Sequence, residues 1–185
     1  MTRHSLAKVA YLGVLLASLA VNLLQGTKIL RLEAALDIRS PGEALAEGAV
    51  APSLDLKDEA GRPVAFSYGQ DPRPTLLYVF SPYCVWCERN AGGFKALLKG
   101  AGDSVRVIQL SLSPEGLERF RVKFGIGGAV FVPTPQTIAS YHLRATPVTI
   151  LVSSSGIVLR SWSGANTGPT KAAVEGYFGF ELSPS

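Results

Sequence analysis

Cysteine is scarce in this 185-residue chain: Cys84 and Cys87 are the two it has, and histidine is as rare, with His4 and His142. Two cysteines exclude a framework of structural disulfides. They also exclude a four-thiolate metal site, and two distant histidines offer little to complete a zinc shell. Basic runs interleaved with aromatics are missing, and the net charge is a modest +4. That pattern argues against nucleic acid as a partner. No internal repeat is visible. Charge is absent altogether from residues 9–27.

That uncharged stretch is rich in Leu, Val and Ala up to Leu24, and Arg3 and Lys8 precede it. At about 1.5 Å per residue, nineteen residues just cross a bilayer core of about 30 Å. The expectation is a transmembrane signal anchor over 9–27, with residues 1–8 in the cytoplasm by the charge rule. A cleaved signal peptide, with its small-residue site near Ser18-Leu19-Ala20, is the competing reading. The apolar run continues past that site through Val21, Leu23 and Leu24, which favours the anchor. Either way the rest of the chain is exported. Residues 28–47 read as a stalk and linker, with Ser40-Pro41-Gly42 inside it.

The pattern changes at 48, and residues 48–185 suit one domain with a core of its own. Alternation over 51–57 and 62–66 about the turn Asp58-Glu59-Ala60-Gly61 predicts a hairpin. Thr75–Phe80 has no charge and predicts a buried strand, followed by a helix over 88–99 that contains Gly92-Gly93. A strand over 105–112 precedes a helix capped by Ser113-Pro114-Glu115 and ending at Phe124, with Pro114 at its first position. A short apolar run at 129–132 and a short helix at 135–141 follow. Strands at 148–152 and 157–162 form a second hairpin, and the last helix covers about 170–178. This order implies an α/β fold, with a mixed sheet covered on both faces.

The two cysteines fall where the buried strand hands over to its helix, in Ser81-Pro82-Tyr83-Cys84-Val85-Trp86-Cys87. A cysteine at a helix N-terminus sits in the positive end of the helix dipole, which favours thiolate over thiol. A second cysteine one turn later can attack a mixed disulfide made by the first. The residue after Cys87 is Glu88 and not His, which argues against covalent haem attachment.

With Thr146-Pro147 placed directly before the strand 148–152, the chain resembles the thioredoxin superfamily. The extra N-terminal hairpin and the 63 positions between Cys84 and Pro147 make it similar to the TlpA/ResA-like branch of membrane-anchored thiol–disulfide oxidoreductases. The resemblance covers roughly residue 48 to the C-terminus and implies a three-layer thioredoxin-like fold. It implies Cys84 as nucleophile and Cys87 as resolving thiol. It implies a cis Pro147 beside the sulfurs, although cis is found at only about 5–6% of X-Pro bonds in general. Thr146, Pro147, Tyr83 and Trp86 become the substrate-binding candidates, Pro147 by shaping the groove where substrate backbone lies, Thr146 by backbone hydrogen bonds and the two aromatics as an apolar rim. Ordinary packing is an equal reading for those rings. The chemistry calls for no cofactor and no metal.

The same resemblance implies the partners: protein thiols and disulfides, a membrane electron donor, and the bilayer itself. It implies a single-pass protein of the inner membrane whose domain faces the periplasm or cell exterior. Its task there would be to reduce disulfides of exported proteins, for example in cytochrome c maturation. Alternatives are a disulfide oxidant, or a Cu(I) metallochaperone that uses the two soft thiolates with His142. The chain departs from the family pattern at instructive places. Tyr83 stands where Trp is usual, and Val85-Trp86 where Pro is frequent. The buried acid of thioredoxin falls on Tyr78, and the Glu of reductive members falls on Asn90.

Overall fold

The computed structural model describes residues 3–36 and 44–182, with side chains described over 11–28 and 44–182. Two units emerge, residues 1–40 and 41–185.

The first unit is one helix, α1 (Arg3–Leu36). It takes in the expected span and the helical part of the expected stalk. Its described apolar side chains, including Leu12, Leu16, Leu19 and Leu24, are exposed. Among the described residues, no helix is long and apolar enough to cross a membrane. The side chains of Val9 and Ala10, which open the expected span, fall outside the described set, and Asn22, Gln25 and Thr27 dilute what remains. The loop expected at 37–43 lies outside the described residues.

In the second unit, seven strands form one sheet. In chain order they are β1 (Leu54–Lys57), β2 (Pro63–Phe66), β3 (Thr75–Phe80), β4 (Arg106–Ser111), β5 (Val130–Pro133), β6 (Val148–Val152) and β7 (Val158–Ser163). Their spatial order is β2-β1-β5-β4-β3-β6-β7. β3 pairs parallel with β4 and antiparallel with β6. The expected hairpin is β1–β2, with Leu56 opposite Val64 and the Asp58 carboxylate accepting the Ala60 and Arg62 N–H groups of its turn. β1 docks antiparallel on β5, which adds the hairpin to the sheet.

β3 is buried along its whole length. Successive strand side chains point to opposite faces. Leu77 and Val79 therefore join one core, with Leu54, Leu110, Ile150 and Tyr141. Leu76, Tyr78 and Phe80 point to the other face, under the helices. That face carries α2 (Val85–Ala101), α3 (Leu117–Phe124) and α5 (Gly168–Phe178), and α4 (Pro135–Ser140) covers the first. Tyr78 stacks on Phe94 of α2 with ring centroids 3.6 Å apart, and Phe80 on Phe120 of α3 at 5.2 Å.

Three boundaries differ from expectation. α2 starts at Val85 and runs unbroken through Gly92 and Gly93. α3 begins at Leu117 and not at Pro114, because Gly116 takes a left-handed φ of 75° and turns the chain just before it. Ala44 and Leu45, assigned to the linker, are 1% and 6% exposed and belong to the core, so the packed chain starts before residue 48.

Candidate redox site

β3 ends at Phe80, and the bend at 81–83 delivers Cys84 to the first position before α2. The Cys84 N–H donates to the Ser81 carbonyl at 3.1 Å, which fixes that bend. Cys84 is the N-cap of α2: its sulfur accepts the Cys87 N–H at 3.4 Å. A helix leaves its first N–H groups without intrahelical partners, and here a sulfur takes one of them. Both cysteines are free thiols. Cys84 is half-buried, while Cys87, one turn on, is fully buried beside Tyr78, Phe80 and Ala91.

Across the sulfurs lies the start of β6. The Thr146–Pro147 peptide is cis, and the Cys84 thiol donates to the Thr146 carbonyl at 3.3 Å. A cysteine near the end of β3 and a proline before β6 thus meet because these strands are antiparallel neighbours, with Val79 opposite Val148.

The two thiols are held differently. Burial pushes Cys84 up, but hydrogen bonds from the Thr146 side chain, from Cys87 and from the backbone N–H groups of Cys87 and Trp86 outweigh it. The net effect holds Cys84 below its ordinary value. Burial pushes Cys87 up to about 12, with its hydrogen bond to Cys84 adding to the rise. One thiol is therefore ready to be a nucleophile and the other keeps its proton.

Tyr83, Val85 and Trp86 surround the sulfur at 71%, 54% and 49% exposure, a concentration of apolar surface at one spot. Trp86 carries the Arg89 guanidinium 4.9 Å from its ring centre. A groove of about 280 Å³ is lined by Trp86, Thr146, Gly164, Ala165, Thr167 and Thr170. A second cleft of about 380 Å³ opens beside Tyr83, against Arg119, Phe120 and Lys123 of α3.

The structure brings Cys84, Cys87, Thr146, Pro147, Tyr83 and Trp86 to one place. His142 stands apart, at a left-handed φ of 54° just after α4, with its carbonyl accepting the Arg144 N–H. Among the described residues no group of three or more His, Cys, Asp or Glu is placed to hold a metal ion. Sequence reasoning missed the loop 164–167, whose Gly164 N–H donates to the Pro147 carbonyl at 2.8 Å. Its residues have no distinctive chemistry, so nothing in their types marks them. It also missed that Tyr78 and Asn90, noted separately as departures, touch: the Asn90 amide donates to the Tyr78 hydroxyl at 3.2 Å.

No protein-family model and no curated protein matches the sequence. Solved structures do match in shape. The thioredoxin domain of a thiol-disulfide oxidoreductase from Bacteroides vulgatus superposes with a TM-score of 0.55 at 19% identity, covering 72% of this chain and 99% of that one. StoA from Bacillus subtilis gives 0.53 at 16% identity, covering 69% and 97%. A thiol:disulfide interchange protein from a Bacteroides species gives 0.56 at 18% identity, covering 73% and 91%. With the strand order, the Cys-x-x-Cys helix and the cis proline, these likenesses establish that residues 44–182 have the thioredoxin fold.

Proposed function

We propose that this protein is a thiol–disulfide oxidoreductase that reduces disulfides of exported proteins from an anchored position at the outer face of the inner membrane. The observation that carries the chemistry is the cysteine pair: a half-exposed Cys84 held towards thiolate at a helix N-terminus, with a buried, protonated Cys87 one turn behind it.

The reaction follows from that pair. The Cys84 thiolate attacks one sulfur of a substrate disulfide. A Cys84–substrate disulfide forms, and the other substrate sulfur leaves as a thiolate that takes a proton. Cys87 then loses its proton and attacks the Cys84 sulfur. The Cys84–Cys87 disulfide forms and the second substrate thiol is released. Two electrons and two protons pass to the substrate, and an external dithiol returns the pair to its reduced state. A membrane protein is the proposed donor. Apocytochrome c is one example of a fitting substrate, since its cysteines must be free before haem is attached.

The anchor is supported by the uncharged run 9–27 and by the exposed leucines of α1, with Arg3 and Lys8 on the side that stays in the cytoplasm. The apolar surface at Tyr83, Val85 and Trp86 supports a protein substrate over a small polar one.

The test is the reduction potential of the Cys84/Cys87 pair, set by equilibration with dithiothreitol. A value near that of thioredoxin, about −270 mV, or lower supports a reductant. A value near about −120 mV, that of DsbA, replaces the reductant with an oxidant. If no disulfide forms between the two cysteines, exchange is ruled out and Cu(I) binding by the two thiolates becomes the reading to test. Anchoring is tested separately, by carbonate extraction of membranes carrying the full chain. Release into the wash would overturn it.

A further inference from the structure

Behind the cysteines, a buried chain of hydrogen bonds crosses from the centre of the sheet to the wall of the groove. Asn90 is its middle member. It lies on α2, one turn beyond Cys87, and is 1% exposed. Its amide N–H donates to Tyr78 on β3. Its carbonyl oxygen accepts the backbone N–H of Asn166 at 2.6 Å. Asn166 is 2% exposed and belongs to the loop 164–167, which lines the groove together with Trp86 and Thr146.

The loop is thus tied at two points. Gly164 binds the Pro147 carbonyl, and Asn166 binds Asn90. One tie leads to the proline strand and the other to the helix that carries both cysteines. The joint is tightly filled. A Cβ added at Gly93 would come within 3.3 Å of both the Asn90 side-chain oxygen and the Asn166 Cβ. An alanine at 90 would leave the Asn166 N–H buried without an acceptor, a costly arrangement that the loop would relieve by moving.

We infer that Asn90 is a positioning residue for the exchange reaction: it sets the distance of the 164–167 loop from the active sulfur, and so the fit of an extended substrate segment in the groove. This inference rests on the oxidoreductase reading. It assigns to the position a function different from that of a proton-carrying Glu. Asn90 has no proton to exchange near neutral pH, and its two hydrogen bonds are already committed.

The experiment compares a substrate that needs the groove with one that does not. The full chain, its Asn90→Ala variant and its Asn90→Asp variant are assayed with insulin, whose disulfides lie in folded polypeptide, and with Ellman's disulfide reagent, which needs only the exposed sulfur. For Asn90→Ala, KM for insulin is expected to rise about tenfold, equivalent to about 1.4 kcal/mol of binding. The rate with Ellman's reagent is expected to stay within about twofold, because Cys84 keeps its own hydrogen bonds. Asn90→Asp retains an oxygen for the Asn166 N–H and is expected to recover most of the insulin KM.

An unchanged insulin KM in Asn90→Ala would overturn the inference. So would an equal fall with both substrates that Asn90→Asp does not rescue, since that is loss of structure and not of fit. If Asn90→Ala does not fold, Gly93→Ala decides. Pressing on the same joint, it is expected to raise the insulin KM and spare Ellman's reagent, and no such split would count against the proposal. If the parent chain exchanges with neither substrate, the oxidoreductase reading fails and this inference goes with it. Failure of the inference alone leaves the parent active.

Discussion

The sulfur of Cys84 accepts the backbone N–H of Cys87 at 3.4 Å, so the proposed nucleophile caps the helix that also carries the proposed resolving thiol. The first prediction comes from this asymmetry. Cys84→Ser should reduce insulin turnover to the uncatalysed rate. Cys87→Ser should still attack but should stall, and a covalent adduct of protein and substrate should be seen by mass spectrometry. Adduct in the Cys84→Ser variant instead would reverse the two roles.

The second prediction concerns pH. Cys84 is held below its ordinary value and Cys87 is pushed up to about 12. Iodoacetamide at neutral pH should therefore label one thiol, Cys84, and the labelling rate should level off at a lower pH than for a free cysteine. The signs for stability are opposite. A depressed Cys84 contributes stability that is present above the unfolded thiol value, about 8.5, and fades as pH falls through its folded value. A raised Cys87 contributes stability that is present below about 8.5 and is lost as pH climbs towards 12. Urea midpoints of the reduced protein should fall from pH 8 to pH 10, and less steeply in Cys87→Ala.

Substrate affinity supplies the third. Tyr83 is largely exposed and Trp86 about half-exposed, so Trp86→Ala should cost folding stability about 1 kcal/mol. As an aromatic beside the sulfur, Trp86 should still matter for a protein substrate. A loss of about 1–2 kcal/mol of binding is expected, which is a rise in KM of about 5- to 30-fold. Thermal melts and steady-state kinetics on the one variant separate the two effects.

The fourth tests the packing under the site. Phe94 is fully buried and stacks on Tyr78. Phe94→Ala should cost about 3–5 kcal/mol, measured by urea denaturation. Tyr78→Phe keeps that stack and leaves the Asn90 N–H without its acceptor, so it should cost less, about 1–3 kcal/mol.

Strands β3 and β6 were legible to the residue, because an uncharged β-branched and aromatic run between loops has few other uses. The cysteines and Pro147 were legible as motifs, and their meeting followed from the fold that the motifs imply. The start of α3 was not, since Pro114 is a good first helical residue and nothing local shows that Gly116 turns the chain two positions later. Nor were the contacts that complete the site. Tyr78 and Asn90 are twelve positions apart on a strand and a helix, and Asn90 and Asn166 are seventy-six apart. Neutral side chains carry no periodic or chemical signature for such pairings. A sequence shows which groups are present, while hydrogen bonds between distant neutral groups depend on which strands become neighbours.

The β1–β2 hairpin has a consequence for how this molecule meets others. Without it, β5 would end the sheet on that side, and a row of unpaired N–H and C=O groups invites a foreign strand to pair. With two strands added at about 4.8 Å each, the open border lies roughly 10 Å further from the cysteines. The strand that then forms the border is four residues long and begins with a proline, which has no N–H to offer. An extended chain arriving with its backbone exposed therefore meets a poor template at that border.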